Sequence, residues 1–441
     1  MKIDLKRADL AINGGKPVRS EAWLDNLSTG VEEKLAVLRT IDSGYLSLFE
    51  GSHTPDKPFS FKGGPEVQGL EEEWCAFYGC KYAISMNSAT SGLYAAVGAL
   101  ELGYGDEVIV SPYTMTACAM APMIYGAIPV FADIDPETGC LDPNCIEKRI
   151  SPRTRGILVV HQFGFPADMD KIMLLAEKYK LKVIEDCAQA HGSKYKGRHV
   201  GGIGHIGVFS LNVNKTIQSG EGGVCVTNDA ELSYRLELIR NHGEAVVGPA
   251  GYKNIVNIAG FNYRMTEISA AIAREQLKKL PSINRKRLEL VEQLKEGLTP
   301  FDFFKPLQGP RDYKTIRNTN DSTNFSSYYI FPIRFVPDVA GIDRNTFITA
   351  LNAEGPIFYQ GYSEPLYLQP VYQYRNLFKH GYPFTAPPNL NTTQDYEKGI
   401  CPVAEKMHFE QIVINEHVRY PHTSKDIKDI ILAVEKLLYR D

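Results

Sequence analysis

Residues 182–192 read KVIEDCAQAHG, and this stretch decides the fold. Its first part, Lys182–Glu185, is a short β-branched run that predicts a buried strand, and the polar residues after it mark the carboxyl end of that strand. Similar runs recur along the chain, separated by longer segments with helical spacing of apolar residues. This alternation predicts an α/β fold with a mostly parallel sheet covered by helices. Because ligands bind at the carboxyl ends of strands in such sheets, the residues that follow each strand are candidate site residues.

The alternation extends from about Gly64 to the middle of the chain. The predicted strands are Glu107–Val110, Pro129–Phe131, Gly156–Val160, Lys182–Glu185, Gly207–Phe209 and Gly223–Val226. The predicted helices are Ser91–Leu100, Asp168–Tyr179 and Ala230–Asn241. A further helix begins near Met265 and is expected to end near Leu280, where it meets Pro281.

The alternation of strands and helices ends after that helix. The composition predicts loops over Glu50–Lys62 and Pro300–Asn324, a strand over Tyr328–Phe335 and a closing amphipathic helix over Lys425–Leu438. We therefore expect a large domain over residues 1–290 and a smaller α+β domain over residues 291–441.

Composition narrows the class of protein. Of 441 residues, 44% are hydrophobic, and 48 Lys and Arg stand against 52 Asp and Glu, which gives a formal net charge of -4. This charge balance provides no positive electrostatic potential that would attract nucleic acid or anionic lipid. The start MKIDLKRADL lacks the apolar core of a signal peptide, and no apolar run reaches membrane-spanning length. The eight cysteines match no zinc spacing. A cytoplasmic protein with free thiols is expected.

A carboxylate and an amide follow the strand Lys182–Glu185. Asp186 lies at the carboxyl end of that buried strand, where an ionised group is costly unless a cation pairs with it. A protonated pyridine nitrogen is such a cation, and a ring that holds the proton becomes an electron sink. Gln189 can donate to an oxygen of the same ring. The competing interpretation is an aspartate that caps the next helix.

A hydroxyl and an amine follow the strand Gly207–Phe209. Ser210 and Lys215 are delivered to the same edge of the sheet, and a glycine-rich turn over residues 220–223 leads into the next strand. A lysine forms Schiff bases when its amine is partly desolvated, and the serine hydroxyl can bind a phosphate. Taken alone, a loop lysine is more often a solvated surface charge, and the glycines are an ordinary turn.

Two further segments contain small or amide side chains. Residues 87–93, NSATSGL, form a small-residue turn that opens a helix, whose amino terminus offers unpaired N–H groups to a phosphate, and Thr90 adds a hydroxyl. A plain N-cap is the alternative. Asn262, within the stretch GFNYRM over residues 260–265, has no evident local partner, and by itself this segment indicates a turn.

These four segments, in this order, resemble the DegT/DnrJ/EryC1/StrS family of sugar aminotransferases, a branch of the aspartate-aminotransferase fold. The resemblance begins near Gly64 and covers most of the chain. It includes GDEV over residues 105–108, PVF over residues 129–131 and HQFG over residues 161–164.

The resemblance implies a role for each candidate residue. Lys215 would carry pyridoxal 5'-phosphate (PLP) as a Schiff base and shuttle a proton, and Asp186 would pair with the pyridine nitrogen. Gln189 would contact the ring hydroxyl, while Ser210, Thr90 and the backbone of Ala89 would hold the phosphate. Asn262 would reach the phosphate of the neighbouring subunit in a homodimer with shared active sites.

Two departures from the family pattern stand out. Met115 aligns with an aromatic residue that stacks on the cofactor ring in other members. A thioether can also lie over a ring, and Tyr113 is the alternative for this contact. The stretch YSEPLY over residues 362–367 stands where many members have a His-Pro pair. Together with the opening LAINGGKPV over residues 10–18, it is closer to the cyclitol and aminoglycoside branch.

The implied reaction moves an amino group from glutamate or glutamine, through pyridoxamine phosphate, onto a ketone of a keto-sugar or cyclitol. Amino-sugar or aminocyclitol biosynthesis, for an antibiotic or a surface polysaccharide, is the expected setting. A dehydratase of the same fold that uses pyridoxamine phosphate is the nearest alternative, but such family members carry histidine in place of Lys215. A cofactor-binding regulator without turnover is the alternative from another class, and no basic DNA-binding segment favours it.

Overall fold

The computed structural model describes residues 2–51, 57–309, 324–391 and 394–439. Its strands are β1 (Lys2–Ile3), β2 (Tyr82–Met86), β3 (Glu107–Val110), β4 (Ile128–Phe131), β5 (Thr154–Val160), β6 (Lys182–Asp186), β7 (Lys194–Tyr195), β8 (Arg198–His199), β9 (Ile206–Ser210), β10 (Gly223–Thr227), β11 (Phe304–Pro306), β12 (Phe331–Phe335), β13 (Tyr359–Gln360), β14 (Ile412–Asn415) and β15 (Leu438–Tyr439). Its α-helices are α1 (Val31–Asp42), α2 (Pro65–Tyr78), α3 (Ala89–Ala99), α4 (Ala117–Ile124), α5 (Pro143–Arg149), α6 (Met169–Tyr179), α7 (Ala230–Arg240), α8 (Glu267–Leu298), α9 (Pro337–Ala340), α10 (Arg344–Ala353), α11 (Pro370–Gln373), α12 (Pro402–Lys406) and α13 (Ser424–Lys436).

The central sheet has seven strands in the order β2-β10-β9-β6-β5-β3-β4. The strands from β9 to β4 are parallel, while β10 runs antiparallel to both β2 and β9. Ile109, Val159 and Val226 are completely buried, as are nearly all residues of these strands. Such continuous apolar runs are typical of a parallel sheet with helices on both faces. The predicted fold class and its six strands are therefore confirmed.

A second sheet of four antiparallel strands, in the order β11-β12-β14-β13, lies in the carboxyl-terminal part of the chain. Its core is aromatic: the ring of Phe347 on α10 lies 5.3 Å from that of Phe304 and 5.1 Å from that of Phe335. The expected α+β character of this region is confirmed. The domain boundary at residue 290 stays a prediction, because α8 continues across it.

Helix α8 corrects one prediction. It does not end at Pro281 but extends from Glu267 to Leu298, with Pro281 in its interior. A proline there removes one backbone hydrogen bond, which costs about 3 kcal/mol. Contacts on both sides of the proline offset this cost, because α8 buries apolar residues along its whole length. Asn284 also donates to the carbonyl of His191 at 2.9 Å.

Three other predicted elements have shifted bounds. The strand expected over Tyr328–Phe335 begins at Phe331, because Tyr328 has a φ of 48° and cannot extend the strand. The closing helix ends at Lys436, and β15 then pairs with β1. The predicted loop Pro300–Asn324 contains the short strand β11, and its residues 310–323 lie outside the described part of the chain. Residues 52–56 of the other predicted loop also lie outside it.

Two further observations concern the whole described chain. All eight cysteines are free, and six of them are buried. Within the ranges given above, the structure contains no helix with the length and apolarity that crossing a membrane requires.

Candidate active site

The carboxyl ends of β6 and β9 form the floor of the candidate site. These strands are parallel neighbours, with Asp186 opposite Val208, so Asp186 and Ser210 lie at the same edge of the sheet. Both side chains are 5% exposed. The sequence prediction that this edge gathers polar side chains therefore matches the structure. What each residue binds stays a prediction.

Asp186 is held by two hydrogen bonds. Its Oδ1 accepts from the backbone N–H of Ala188 at 2.9 Å, and its Oδ2 accepts from the thiol of Cys118 on α4 at 3.0 Å. Burial, followed by the adjacent charge of Asp186, raises the pKa of the Cys118 thiol well above its usual range. The thiol therefore remains a donor, and the carboxylate keeps further lone pairs for a cation.

Gln189 links Asp186 to the carboxyl-terminal part of the chain. Its Oε1 accepts from the N–H of Phe163 at 2.7 Å, and its Nε2 donates to the hydroxyl oxygen of Tyr362 at 2.9 Å. Burial, together with neighbouring Tyr329 and Asp186, raises the pKa of Tyr362 well above its usual range. The phenol therefore stays protonated and fixes the amide orientation.

Lys215 follows β9, and its side chain turns inward. The residue is 9% exposed, and Nζ lies 3.4 Å from the hydroxyl of Tyr329 and 4.5 Å from its ring centroid. Asn26 donates to the Lys215 carbonyl at 3.0 Å, which fixes the backbone there. Within the described ranges, no carboxylate forms an ion pair with this amine. A buried amine without a counter-ion is typical of lysines that form Schiff bases, and the surface-charge interpretation does not fit.

The amino terminus of α3 lies against the same edge. Ser88 caps this helix by accepting from the N–H of Ser91 at 3.0 Å. Gly223, which pairs with Ser210, approaches so closely that a Cβ on it would lie 2.6 Å from the carbonyl carbon of Ser88 and 2.7 Å from the nitrogen of Ala89. Only glycine permits this approach. The structure thereby brings Ser210 and the α3 terminus together, as a phosphate site requires.

Three predicted residues lie at the rim rather than in the interior. Thr90 is exposed, and Met115 is 56% exposed. Asn262 is also exposed, and its carbonyl accepts from Asn87 at 3.4 Å. Tyr113, the alternative for the stacking contact, is completely buried, with its ring 5.9 Å from that of Tyr362. The stacking contact of Met115 stays a prediction.

The interior holds residues that were not among the predicted site residues. Cys118, Tyr329 and Tyr362 contact Asp186, Lys215 and Gln189 respectively. None of them follows a predicted strand of the central sheet. The stretch at residues 362–367 was the one available signal, and it indicated Tyr362 only as part of a departure from the family pattern.

A buried group behind the site contains metal-ligating residue types. His161, Glu185 and Cys187 converge there, and His161 Nε2 lies 3.0 Å from a Glu185 oxygen. Both Glu185 oxygens also accept backbone N–H groups, from Gly201 at 2.7 Å and Ile203 at 2.8 Å. Because the carboxylate is already satisfied, this group is a structural brace for β6.

The donor set fits PLP. A buried amine without an ion pair, a buried carboxylate and a glycine-lined helix terminus would respectively hold its aldehyde carbon, its ring nitrogen and its phosphate. The sequence prediction assigns these roles to Lys215, Asp186 and the region of Ala89, Thr90 and Ser210.

Comparison with known proteins identifies the family of this chain. Residues 56–387 match the model of the DegT/DnrJ/EryC1/StrS aminotransferase family. The fold matches the aminotransferase from Psychrobacter cryohalolentis with a TM-score of 0.77 and 29% identity, over 94% of this chain and 98% of that one. DesV of S. venezuelae matches with a TM-score of 0.75 and 30% identity over 93% and 95%. Helicobacter pylori PseC, an aminotransferase involved in pseudoaminic acid biosynthesis, matches with a TM-score of 0.73 and 26% identity, over 95% of this chain and 99% of that one.

The fold and the comparisons define a PLP-dependent aminotransferase of fold type I. The chain belongs to the DegT/DnrJ/EryC1/StrS aminotransferase family. The resemblance noted in the sequence is therefore confirmed, and the enzyme class with it.

Proposed function

We propose that this enzyme transfers the amino group of glutamate or glutamine to a ketone carbon of a keto-sugar or cyclitol, in the biosynthesis of an amino sugar or aminocyclitol. The observation that carries the proposal is the buried amine of Lys215, which faces Tyr329 and has no ion-paired carboxylate among the described residues. Such surroundings are typical of lysines that form Schiff bases and act as nucleophile and base.

When bound, PLP would supply an electron sink and a carbonyl group that can carry the amino group. Side chains of the protein bind the cofactor, hold its ring proton and move the proton of the substrate. Asp186, oriented by Ala188 and Cys118, holds the proton on the ring nitrogen. Lys215 attaches the cofactor, and its released amine carries a proton to and from the substrate carbon. Ser210 and the α3 terminus would hold the phosphate.

A homodimer is part of the proposal. Helix α1 exposes Val31, Leu35, Leu38 and Ile41 to the extent of 66%, 49%, 45% and 51%. Their spacing places all four on one helix face, and Leu24, Leu27 and Leu46 on either side of the helix are also exposed. An apolar stripe of this kind is typical of a surface buried by a second copy. In that assembly, Asn262 reaches the phosphate in the partner's site.

The related dehydratase is the second candidate function. Family members with that chemistry carry histidine where this chain has Lys215, so the aminotransferase is favoured. The extent to which an amino donor converts the bound cofactor distinguishes the aminotransferase from the dehydratase. Mixing the PLP-loaded protein with glutamate or glutamine, without acceptor, should convert the cofactor to its pyridoxamine form and release one equivalent of keto acid. A protein that binds PLP but leaves both amino acids unchanged would contradict the proposal.

A further inference from the structure

A segment near the amino terminus, Trp23–Ser28, connects the carboxyl-terminal part of the chain with the loop that follows β9. We call it the lead-in segment. The indole nitrogen of Trp23 donates to the carbonyl of Gly355 at 2.8 Å, and the N–H of Leu24 donates to His422 Nε2 at 3.1 Å. These two contacts fix one end of the lead-in segment on the carboxyl-terminal part of the chain.

The other end of the lead-in segment is fixed on α8. The hydroxyl of Ser28 donates to Gln276 Oε1 at 2.8 Å, and Gln276 Nε2 donates to the Ser28 carbonyl at 3.0 Å. Gln276 is completely buried, and its Oε1 also accepts from the N–H of Gln218, in the loop after β9, at 3.3 Å. The same side chain therefore holds both the lead-in segment and this loop.

Asn26 lies in the middle of the lead-in segment and contacts the backbone of Lys215. The N–H of Leu27 donates to the carbonyl of Asp25 at 2.9 Å, which closes a three-residue turn around Asn26. Asn26 Nδ2 donates to the Lys215 carbonyl at 3.0 Å. Among the residues that the structure describes, no other donor binds this carbonyl, so the Asn26 amide is the contact that holds it.

Lys215 lies in a loop rather than in a strand, since β9 ends at Ser210 and β10 begins at Gly223. Its N–H donates to the carbonyl of Asn212 at 2.9 Å, so Asn26 supplies the tie on the other side of the residue. A reactive group must be held within about 0.5 Å of its productive geometry, and groups on loops need such support more than groups on strands. A change in the orientation of this peptide group would displace the long side chain that ends at Nζ.

We propose that Asn26 is a positioning residue that holds the backbone of Lys215, so that its amine reaches the aldehyde carbon of the cofactor. This inference rests on the proposed function, in which Lys215 attaches PLP. The loss of one net hydrogen bond changes a rate by about 2- to 10-fold. Because Asn26 binds the peptide group of Lys215, its effect should appear in the covalent attachment of PLP and should vanish when the lysine is removed.

Addition of PLP to the full-length protein freed of cofactor tests the proposal without turnover. Stopped-flow absorbance follows formation of the Schiff base, and fluorescence titration measures the affinity for PLP. The variants are Asn26→Ala and Asn26→Asp, of which the second keeps the shape of the side chain but replaces the Nδ2 donor by an oxygen. Asn13→Ala is the matched control, because the amide of Asn13 also donates to backbone carbonyls, those of Leu5 and Arg7, but to no residue of the site.

Asn26→Ala and Asn26→Asp should each slow formation of the Schiff base about 3- to 10-fold, because the tie on the Lys215 carbonyl is lost. Asn13→Ala should behave as the parent protein. In a Lys215→Ala background, which binds PLP without a covalent bond, Asn26→Ala should leave the affinity for PLP within about twofold, since the two residues then share no coupled step.

Attachment at the parental rate in both Asn26 variants overturns the proposal. An equal loss of PLP affinity with and without Lys215 also overturns it, because the lead-in segment would then act on the cofactor pocket as a whole. Failure of the proposed function is separate: the parent protein itself would then form no Schiff base at Lys215.

Discussion

The thiol of Cys118 donates to Oδ2 of Asp186 at 3.0 Å, so a helix that follows β3 orients the carboxylate at the end of β6. The residues are far apart in sequence, and both are buried. The contact keeps Oδ2 from rotating out of place. A thiol is a weak donor, so it leaves most of the negative charge on the carboxylate.

Cys118→Ala should therefore slow the half-reaction with glutamate about 2- to 10-fold, the rate equivalent of one net hydrogen bond of about 0.5–1.5 kcal/mol. Cys118→Ser keeps a donor at the same place and should stay within about twofold of the parent protein. Stopped-flow absorbance of the bound cofactor measures both rates. Equal rates in Cys118→Ala and the parent protein would show that the contact is without effect.

Replacing Asp186 by Asn keeps the shape of the side chain but removes the charge that holds the ring proton. The half-reaction should slow at least about a hundredfold, equal to about 2.7 kcal/mol, while cofactor affinity falls much less. Single-turnover kinetics and fluorescence titration with PLP separate the two effects. Near-normal turnover in Asp186→Asn would remove the proposed role of this carboxylate.

Lys215 should be the attachment site of the cofactor. The PLP-loaded protein should be yellow, and borohydride should fix the cofactor to the peptide that contains Lys215. Lys215→Ala should abolish the covalent adduct, whereas Lys178→Ala, whose side chain is 61% exposed, should retain it. Peptide mass spectrometry reads the result. An adduct on any other lysine would refute the assignment.

Asn262 should act on the neighbouring subunit, since its side chain is exposed. Loss of one hydrogen bond to a phosphate costs about 1.5–3 kcal/mol, so Asn262→Ala should weaken PLP binding about 10- to 100-fold.

A mixed dimer of Lys215→Ala and Asn262→Ala provides the sharper test. If each site takes these residues from different chains, the mixed dimer has one intact site. It should then regain activity that neither variant shows at limiting cofactor. Co-refolded mixtures that remain as inactive as the separate variants would place Asn262 in its own chain's site.

Stability should fall in mild acid because of His191. This residue is completely buried, and burial, followed by the charge of Lys215, lowers its pKa to about 3. The folded state therefore keeps His191 neutral while the unfolded chain binds a proton below about pH 6.5. The stability that this group contributes is present above that pH and is lost as the pH falls towards 3. At pH 5 the loss is about 2 kcal/mol relative to pH 7.

Urea unfolding at pH 7 and pH 5 measures this loss. His191→Leu should reduce the difference between the two pH values by about 2 kcal/mol relative to the parent protein. His380→Asn is the control, because His380 is exposed and asparagine tolerates its φ of 61°. An unchanged pH dependence in His191→Leu would assign the acid lability to other groups.

Local sequence patterns were enough to predict the sheet and the edge at which the site lies. Apolar runs with flanking polar residues predicted the strands, and carboxyl ends of parallel neighbours must share an edge. That rule was sufficient to place Asp186 and Ser210 together, with Lys215 close behind. Gly223 is required by the close approach of the α3 backbone, but the sequence did not predict that α3 is the segment that approaches it.

Long-range packing determines which side chains complete the interior. Tyr329 and Tyr362 lie in the carboxyl-terminal part of the chain, outside the central sheet, and their contacts depend on how the second sheet packs against the first. The same holds for α8, where local chemistry at Pro281 predicted an end and long-range packing continued the helix to Leu298. Local patterns report the backbone preference of a few residues, whereas these contacts depend on the free energy of packing distant segments together.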